Sequence, residues 1–368
     1  MSVLILFAGQ FPGPTAGAKR IGYYQKGLIA AAMPADILPI GNLATGRMSH
    51  YLNLFFQPFK TANSFYKVRK KYSAVLVYGF GWLTYLLLAF VAKTNNIKLY
   101  LEVNEKPGSI YGSRLTEISW IKLINTKLTE FSFRFFDGFV VISEALATYL
   151  KPHANRDARL LNVPIIIDID RNIGEIEKPV VHFPYLLHTG ALSDRKDGMA
   201  EVFAAFAIAC KALNKQLHFY LTSKVAPSDL SQLIETVINE NGLEQNVHFL
   251  GDIPESKLLS LQKYCSMVII NKYRNEQNEH NFPTKLAEYL VFETPVITTG
   301  IGEMGKYLID NENAYLVPLH DVVALADRMI YITQHPIESK KVGNNGRNIA
   351  LYFFDHMGHG KRMADFFS

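Results

Sequence analysis

A chain of 368 residues, 49% of them hydrophobic and 19% charged, can fill sizeable cores and is long enough for two domains. That composition excludes a disordered or low-complexity chain, and two cysteines exclude a disulfide scaffold. The formal charge of +5 is unevenly spread: residues 1–170 hold 19 Lys+Arg against 10 Asp+Glu, the remainder 19 against 23. A basic first half and an acidic second half predict different partners for the two.

Met1 leads almost at once into the apolar run VLILFAG (3–9) with no basic stretch before it, so no signal peptide is expected. Cys210 and Cys265 match no metal or redox spacing, and a reducing, cytoplasmic location fits them. After that first strand comes GQFPGPTAGAKR (9–20). Its glycines are spaced evenly by four and do not form the G-x-G-x-x-G dinucleotide fingerprint. They predict a flexible loop whose amides could approach a phosphate beside Lys19 and Arg20, though an ordinary strand-to-helix turn reads equally well.

Further strands are expected at 74–80, 99–103 and 138–143. WLTYLLLAFVA (82–92) is too short to span a bilayer and reads as a buried helix. At the end of LEVNEKPGS (101–109), Asn104, Glu105 and Lys106 cluster as a substrate-facing group or as a polar turn. FYKVRKKYS (65–73) and the stretch 113–136 mix basic residues with aromatics, as an anionic membrane surface would favour, or as a solvated helix face would show. Residues 162–184, with three prolines and no helical period, read as the interdomain connection.

The second half repeats the alternation, with strands expected at 185–190, 217–223, 247–251, 267–271, 295–299 and 314–318. DGMAEVFAAFAIACKAL (197–213) puts Met199, Val202, Phe203 and Phe206 at helical spacing. Such alternation predicts an α/β chain of two doubly wound, parallel-sheet, Rossmann-like domains facing a cleft. Ligands of such sheets sit beyond the carboxyl ends of the strands. Arg195 and Lys196 fall there, at a helix start, where an anion would relieve their conflict with the dipole. In NFPTKLAEYLVFETPVITTG (281–300), Glu288 stands among Leu286, Ala287, Tyr289 and Leu290 one turn after Pro283 and Thr284.

Taken in order, GPTAGAKR, FDGFVVISEALATYL, HTGALSDRKDG, VHFLGDIPESKLLSLQKYCSMVI and FPTKLAEYL resemble the motifs of the GT-B nucleotide-sugar glycosyltransferases, specifically retaining family 4 of bacterial surface-polysaccharide type. The likeness covers nearly the whole chain. It implies a GT-B fold with an acceptor-binding domain over 1–170, a donor-binding domain over 171–349, and a final helix at about 350–368 packing back onto the first. It implies a donor site drawn from Gly17, Lys19, Arg20, Arg195, Lys196, Ile253, Phe282, Pro283, Thr284 and Glu288. Lys196, Glu288, His280, Asn104 and Glu105 would stand at the reacting centre, with Lys196 on the diphosphate and Glu288 on the ribose. The donor would be a nucleotide-diphosphate sugar and the acceptor a saccharide or lipid-linked saccharide. No metal, other cofactor or nucleic acid is expected, and peripheral contact with the inner membrane face is.

Three positions depart from the family pattern: Ala191 replaces an arginine, His280 replaces the first acid of E-x7-E, and Glu293 replaces a helix-ending glycine. Competing readings are an epimerase or hydrolase on the same fold, and a non-catalytic binding member of a polysaccharide-assembly complex.

Overall fold

A computed structural model describes residues 1–41, 47–109, 119–169, 176–223 and 228–368. The chain divides into two compact units. The first comprises Met1–Asp168, His280–Phe282 and Asp355–Ser368; the second comprises Ile169–Glu279 and Pro283–Phe354.

The first unit is built on β1 (Val3–Phe7), β2 (Ala35–Pro39), β3 (Ala74–Tyr78), β4 (Lys98–Val103), β5 (Gly138–Val141) and β6 (Arg159–Asn162). They form one sheet in the order β2-β1-β3-β4-β5-β6, with every pairing parallel. All five residues of β1 are buried, because helices must cross between parallel strands and so cover both faces. The helices are α1 (Ala16–Ala30), α2 (Arg47–Val68), α3 (Trp82–Thr94), α4 (Ser119–Ser132) and α5 (Glu144–Leu150). The apolar run at 82–92 is helical as expected, but Phe90 on it is exposed.

The second unit repeats the plan with β7 (Tyr185–His188), β8 (His218–Leu221), β9 (Val247–Phe249), β10 (Met267–Ile270), β11 (Val296–Thr298) and β12 (Tyr315–Leu316). Their order is β12-β11-β10-β7-β8-β9, again all parallel. Its helices are α6 (Asp194–Asp197), α7 (Met199–Ala212), α8 (Ser228–Asn241), α9 (Glu255–Tyr264), α10 (Glu276–His280), α11 (Lys285–Val291), α12 (Val322–Gln334) and α13 (Pro336–Phe353). Met199, Val202, Phe203 and Phe206 of α7 face the core with Phe219, as their spacing predicts. Phe292 caps α11, and Glu293 follows at φ +60°, the left-handed position that glycine normally takes. Lys340 and Arg347 of α13 hold the Glu293 carboxylate there.

The chain then returns to the first unit as α14 (His356–Phe367). Gly27 of α1 and Gly360 of α14 meet backbone to backbone, so a Cβ at either would collide with the other helix. Tyr100 packs on Phe366 and Phe367, which locks α14 to the sheet.

Candidate functional site

Because all strands of the second sheet are parallel, the turns after β7, β8, β9 and β10 share one end. Beyond β7 the chain passes Thr189, Gly190 and Ala191 into α6, whose N-cap Ser193 accepts from the Lys196 amide at 3.2 Å. Gly198, at φ +53°, closes this one-turn helix and starts α7. Asn278 donates to the carbonyls of Lys196 (3.0 Å) and Tyr273 (2.8 Å), pinning the lysine's backbone. Arg195 is exposed, with its guanidinium 3.4 Å from the Gln277 carbonyl oxygen.

Beneath this turn lies a charged cluster. Asp197 is buried and ion-paired with Lys272, itself buried where β10 ends. Lys285 reaches in from α11 and donates to the Thr189 carbonyl at 2.8 Å. Four residues on, the Tyr289 hydroxyl accepts from the Thr189 amide (3.2 Å) and meets the Thr189 hydroxyl (2.7 Å). Spacing of four puts both side chains on one helix face, so α11 holds the β7 turn at two points.

Burial pushes the Lys285 ammonium down to about 8, with Lys272 and Lys196 adding to the effect and Asp197 opposing it. Burial also lowers Lys272, against the pull of Asp197. Burial would raise Asp197, but Lys272 and Lys285 outweigh it and hold the carboxyl below its ordinary range. His188, 2% exposed at the end of β7, is pushed down to about 3, by burial first and Lys285 next, so it is neutral. The Ala191 backbone opposes that shift through a hydrogen bond. The ammonium groups of Lys272 and Lys285 thus act on one buried carboxylate, that of Lys196 acts on both lysines, and Glu288 acts on Lys285. Such an excess of buried positive charge suits a multiply charged anion.

Among the expected residues, Lys196 and Glu288 both act on Lys285 here. Glu288 differs from the expectation of a carboxylate enclosed by apolar neighbours. Leu286, Ala287, Tyr289 and Leu290 are buried, and Glu288 is only half-buried on the remaining face of α11. Pro283 and Thr284 precede α11, with Thr284 exposed, and Ile253 is half-buried in the turn between β9 and α9. Phe282 is buried and, with His280, groups with the first unit. There the His280 carbonyl accepts from Ser143 at 2.6 Å, while Ser143 also caps α5.

In the first unit the glycine-rich segment is less of a loop than expected. Thr15 caps α1, which begins at Ala16, so Gly17, Lys19 and Arg20 lie in its first two turns. Gly17 is needed for contact: a Cβ there would stand 2.9 Å from the Tyr78 ring. Arg20 corrects the expectation of a phosphate contact. It is 4% exposed, pairs with Glu102 at 2.7 Å, and donates to the carbonyls of Val163 and Pro164 at 2.7 and 2.6 Å. Glu102 also accepts from Tyr24, so the guanidinium serves the domain interior.

Beyond β3 and β4 opens a cavity of about 530 Å³, lined among others by Tyr78, Tyr85, Asn104, Glu105 and Lys122. Asn104 donates to the Tyr78 hydroxyl at 2.6 Å, and its buried Oδ1 has no partner. Burial pushes the Tyr78 phenol up to about 12, so it stays protonated and can donate in turn. Asn104 and Glu105 thus both line one pocket.

Sequence reasoning did not single out Asp197, Lys272, Lys285 or His188. The available signal was a lysine directly after the buried strand MVIIN, at the ligand-binding end of a parallel sheet.

Two all-parallel six-stranded sheets with helices on both faces define the GT-B fold. Residues 172–349, nearly the whole second unit, match the family described as "Glycosyl transferases group 1". No curated protein matches the chain. Among solved structures it is similar to sucrose-phosphate synthase from Thermosynechococcus elongatus, at a TM-score of 0.70 and 16% identity, covering 100% of this chain and 98% of that one. It is similar to Anabaena HepE in complex with UDP and glucose, at 0.69 and 16% over 100% and 99% of the two chains. A glycosyltransferase from Rickettsia africae gives 0.70 and 12% over 100% and 97%.

Proposed function

We propose that the chain is a glycosyltransferase of family 4 type, moving a sugar with retention from a nucleotide-diphosphate donor to a saccharide or lipid-linked acceptor of surface-polysaccharide synthesis. The observation that carries this reading is the ammonium cluster of Lys196, Lys272 and Lys285 at the end of β7, in the unit that matches the glycosyltransferase family. In the transition state negative charge grows on the leaving diphosphate, and fixed ammonium groups in a partly dry site stabilise that charge more than they stabilise the ground state. Glu288, half-buried one turn into α11, would accept from the ribose hydroxyls. These lysines supply the countercharge that a divalent ion gives elsewhere, so the reaction is proposed to run without metal. HepE, with UDP bound, makes UDP-sugars the first donors to try.

The cavity holding Asn104 and Glu105 would take the acceptor sugar. The reading extends to the membrane through α4, where Trp120 (64% exposed), Leu123 (59%) and Ile124 (50%) form an outward apolar stripe. Lys67, Lys70 and Lys71, at and just beyond the end of α2, are exposed as well. A location at the inner membrane face follows from that pairing of aromatic and basic groups. Residues 113–118 of the expected membrane stretch lie outside the described residues. Among the described residues no helix is long and apolar enough to cross a membrane.

The test supplies a panel of labelled nucleotide sugars together with an extract of bacterial membrane lipids and oligosaccharides. Transfer of label to an acceptor, with the donor's anomeric configuration kept and rates unchanged in excess EDTA, is expected. Donor consumption without any acceptor product would favour a hydrolase or epimerase, and an EDTA-sensitive rate would contradict metal independence.

A further inference from the structure

In the cluster at the end of β7, Lys272 and Lys285 differ in what their ammonium groups meet. Asp197 is ion-paired with Lys272, whereas the Lys285 Nζ donates to a neutral carbonyl, that of Thr189, at 2.8 Å. The charged and titratable groups that act on Lys285 are Asp197 and Lys196 from α6, Lys272 after β10, Glu288 from its own helix, and His188 from β7. Thr189 is held by Tyr289 as well, so the ammonium has a fixed seat at the strand end.

We propose that Lys285 is a second diphosphate contact, and that it takes up a proton when the diphosphate binds. This inference rests on the reading of the second unit as a nucleotide-diphosphate site. In the free protein, burial and the two neighbouring lysines hold Lys285 near 8. A phosphate oxygen placed beside it adds opposite charge to that of Asp197 and Glu288, which favours the ammonium and raises its pKa in the complex. Well below 8 the group is charged in both states and no proton moves. Between that value and the higher one in the complex, the free protein carries a neutral amine in part, and binding draws a proton from the buffer. Diphosphate affinity therefore falls as pH rises through this window. His188 does not contribute, being neutral throughout it.

Isothermal titration of UDP, GDP and ADP into the full chain at about pH 8.5, where their terminal phosphate is fully ionised, tests the proposal. Two buffers of different ionisation enthalpy separate proton transfer from binding heat. Uptake of about 0.7 proton per diphosphate is expected at that pH from a group titrating near 8. Lys285→Arg, which keeps a permanent charge, should bind diphosphate with no proton uptake. Lys285→Met should bind at least tenfold more weakly, also without uptake. Binding by the unaltered protein without proton uptake, or uptake that persists in Lys285→Arg, overturns the assignment while leaving the diphosphate site standing. Failure of all three diphosphates to bind overturns the nucleotide reading itself, and this inference with it. Should neither variant fold, the uptake measured on the unaltered protein decides alone.

Discussion

Arg20 shows how a cation beside a glycine-rich segment can belong to the interior. Its guanidinium is held by Glu102 and two carbonyls, and Glu102 in turn holds Tyr24. Removing one partner of a buried ion pair leaves the other charge uncompensated, at a cost of about 3–5 kcal/mol. Arg20→Met should therefore lose roughly that much stability in chemical unfolding, while its folded fraction binds nucleotide diphosphate as before. Unchanged stability with weakened diphosphate binding would restore Arg20 to the donor site. The sequence could not separate Arg20 from Lys19, because which of two adjacent residues in a helix faces inward depends on where the helix begins. Thr15 sets that start, and the glycine and proline spacing concealed it. Lys196 could be singled out because it follows the end of a strand, where parallel sheets place ligands. Lys272 and Lys285 were not, since each resembles a solvated lysine until Asp197 and Thr189 are brought beside them by the fold.

Strands were legible where they carry an apolar run. The ten expected strands all occur, and the two that were missed, β2 and β6, are the edges of the first sheet. An edge strand is paired on one side only, and here it is half-exposed: β2 carries Asp36 and ends on Pro39, and β6 opens with Arg159. Neither therefore shows a continuous apolar run. The helix α4 is the opposite case, apolar where no core covers it. Phe133, just beyond its end, points to the core, whereas Trp120, Leu123 and Ile124 are exposed. Among the basic residues near the end of α2, Arg69 is occupied, with its guanidinium bound to Asn95 at 2.6 Å and stacked on Tyr66. Membrane attraction should thus come from Lys67, Lys70 and Lys71, each contributing on the order of 1 kcal/mol near an anionic surface. Replacing these three by Gln, or Trp120, Leu123 and Ile124 by Ser, should move protein from sedimented anionic liposomes to the supernatant. The lysine variant should differ most from the parent at low salt. Equal partition of both variants and the parent at every salt concentration would remove the membrane from the account.

Among the described residues, two separate cores underlie the two units that the chain's length predicts. One core centres on β1, β3 and the final helix, the other on β7, β10 and α7. The return of α14 to the first unit is made by small residues, Gly27 and Gly360, whose contact is not recorded in any apolar periodicity. The second unit carries both the family match and the ammonium cluster, so the function stands or falls with what that cluster binds. Lys196 provides a charge-assisted contact worth about 1.5–3 kcal/mol if it meets a phosphate, or about one to two decades in affinity. Calorimetric titration of UDP and GDP, and of uridine and guanosine, into the parent and Lys196→Ala measures this difference. The diphosphates should bind the parent more tightly than their nucleosides do, and Lys196→Ala should lose about 10- to 100-fold on the diphosphates alone. Equal affinities for nucleoside and diphosphate, or equal losses on both in Lys196→Ala, would contradict a diphosphate site at the end of β7.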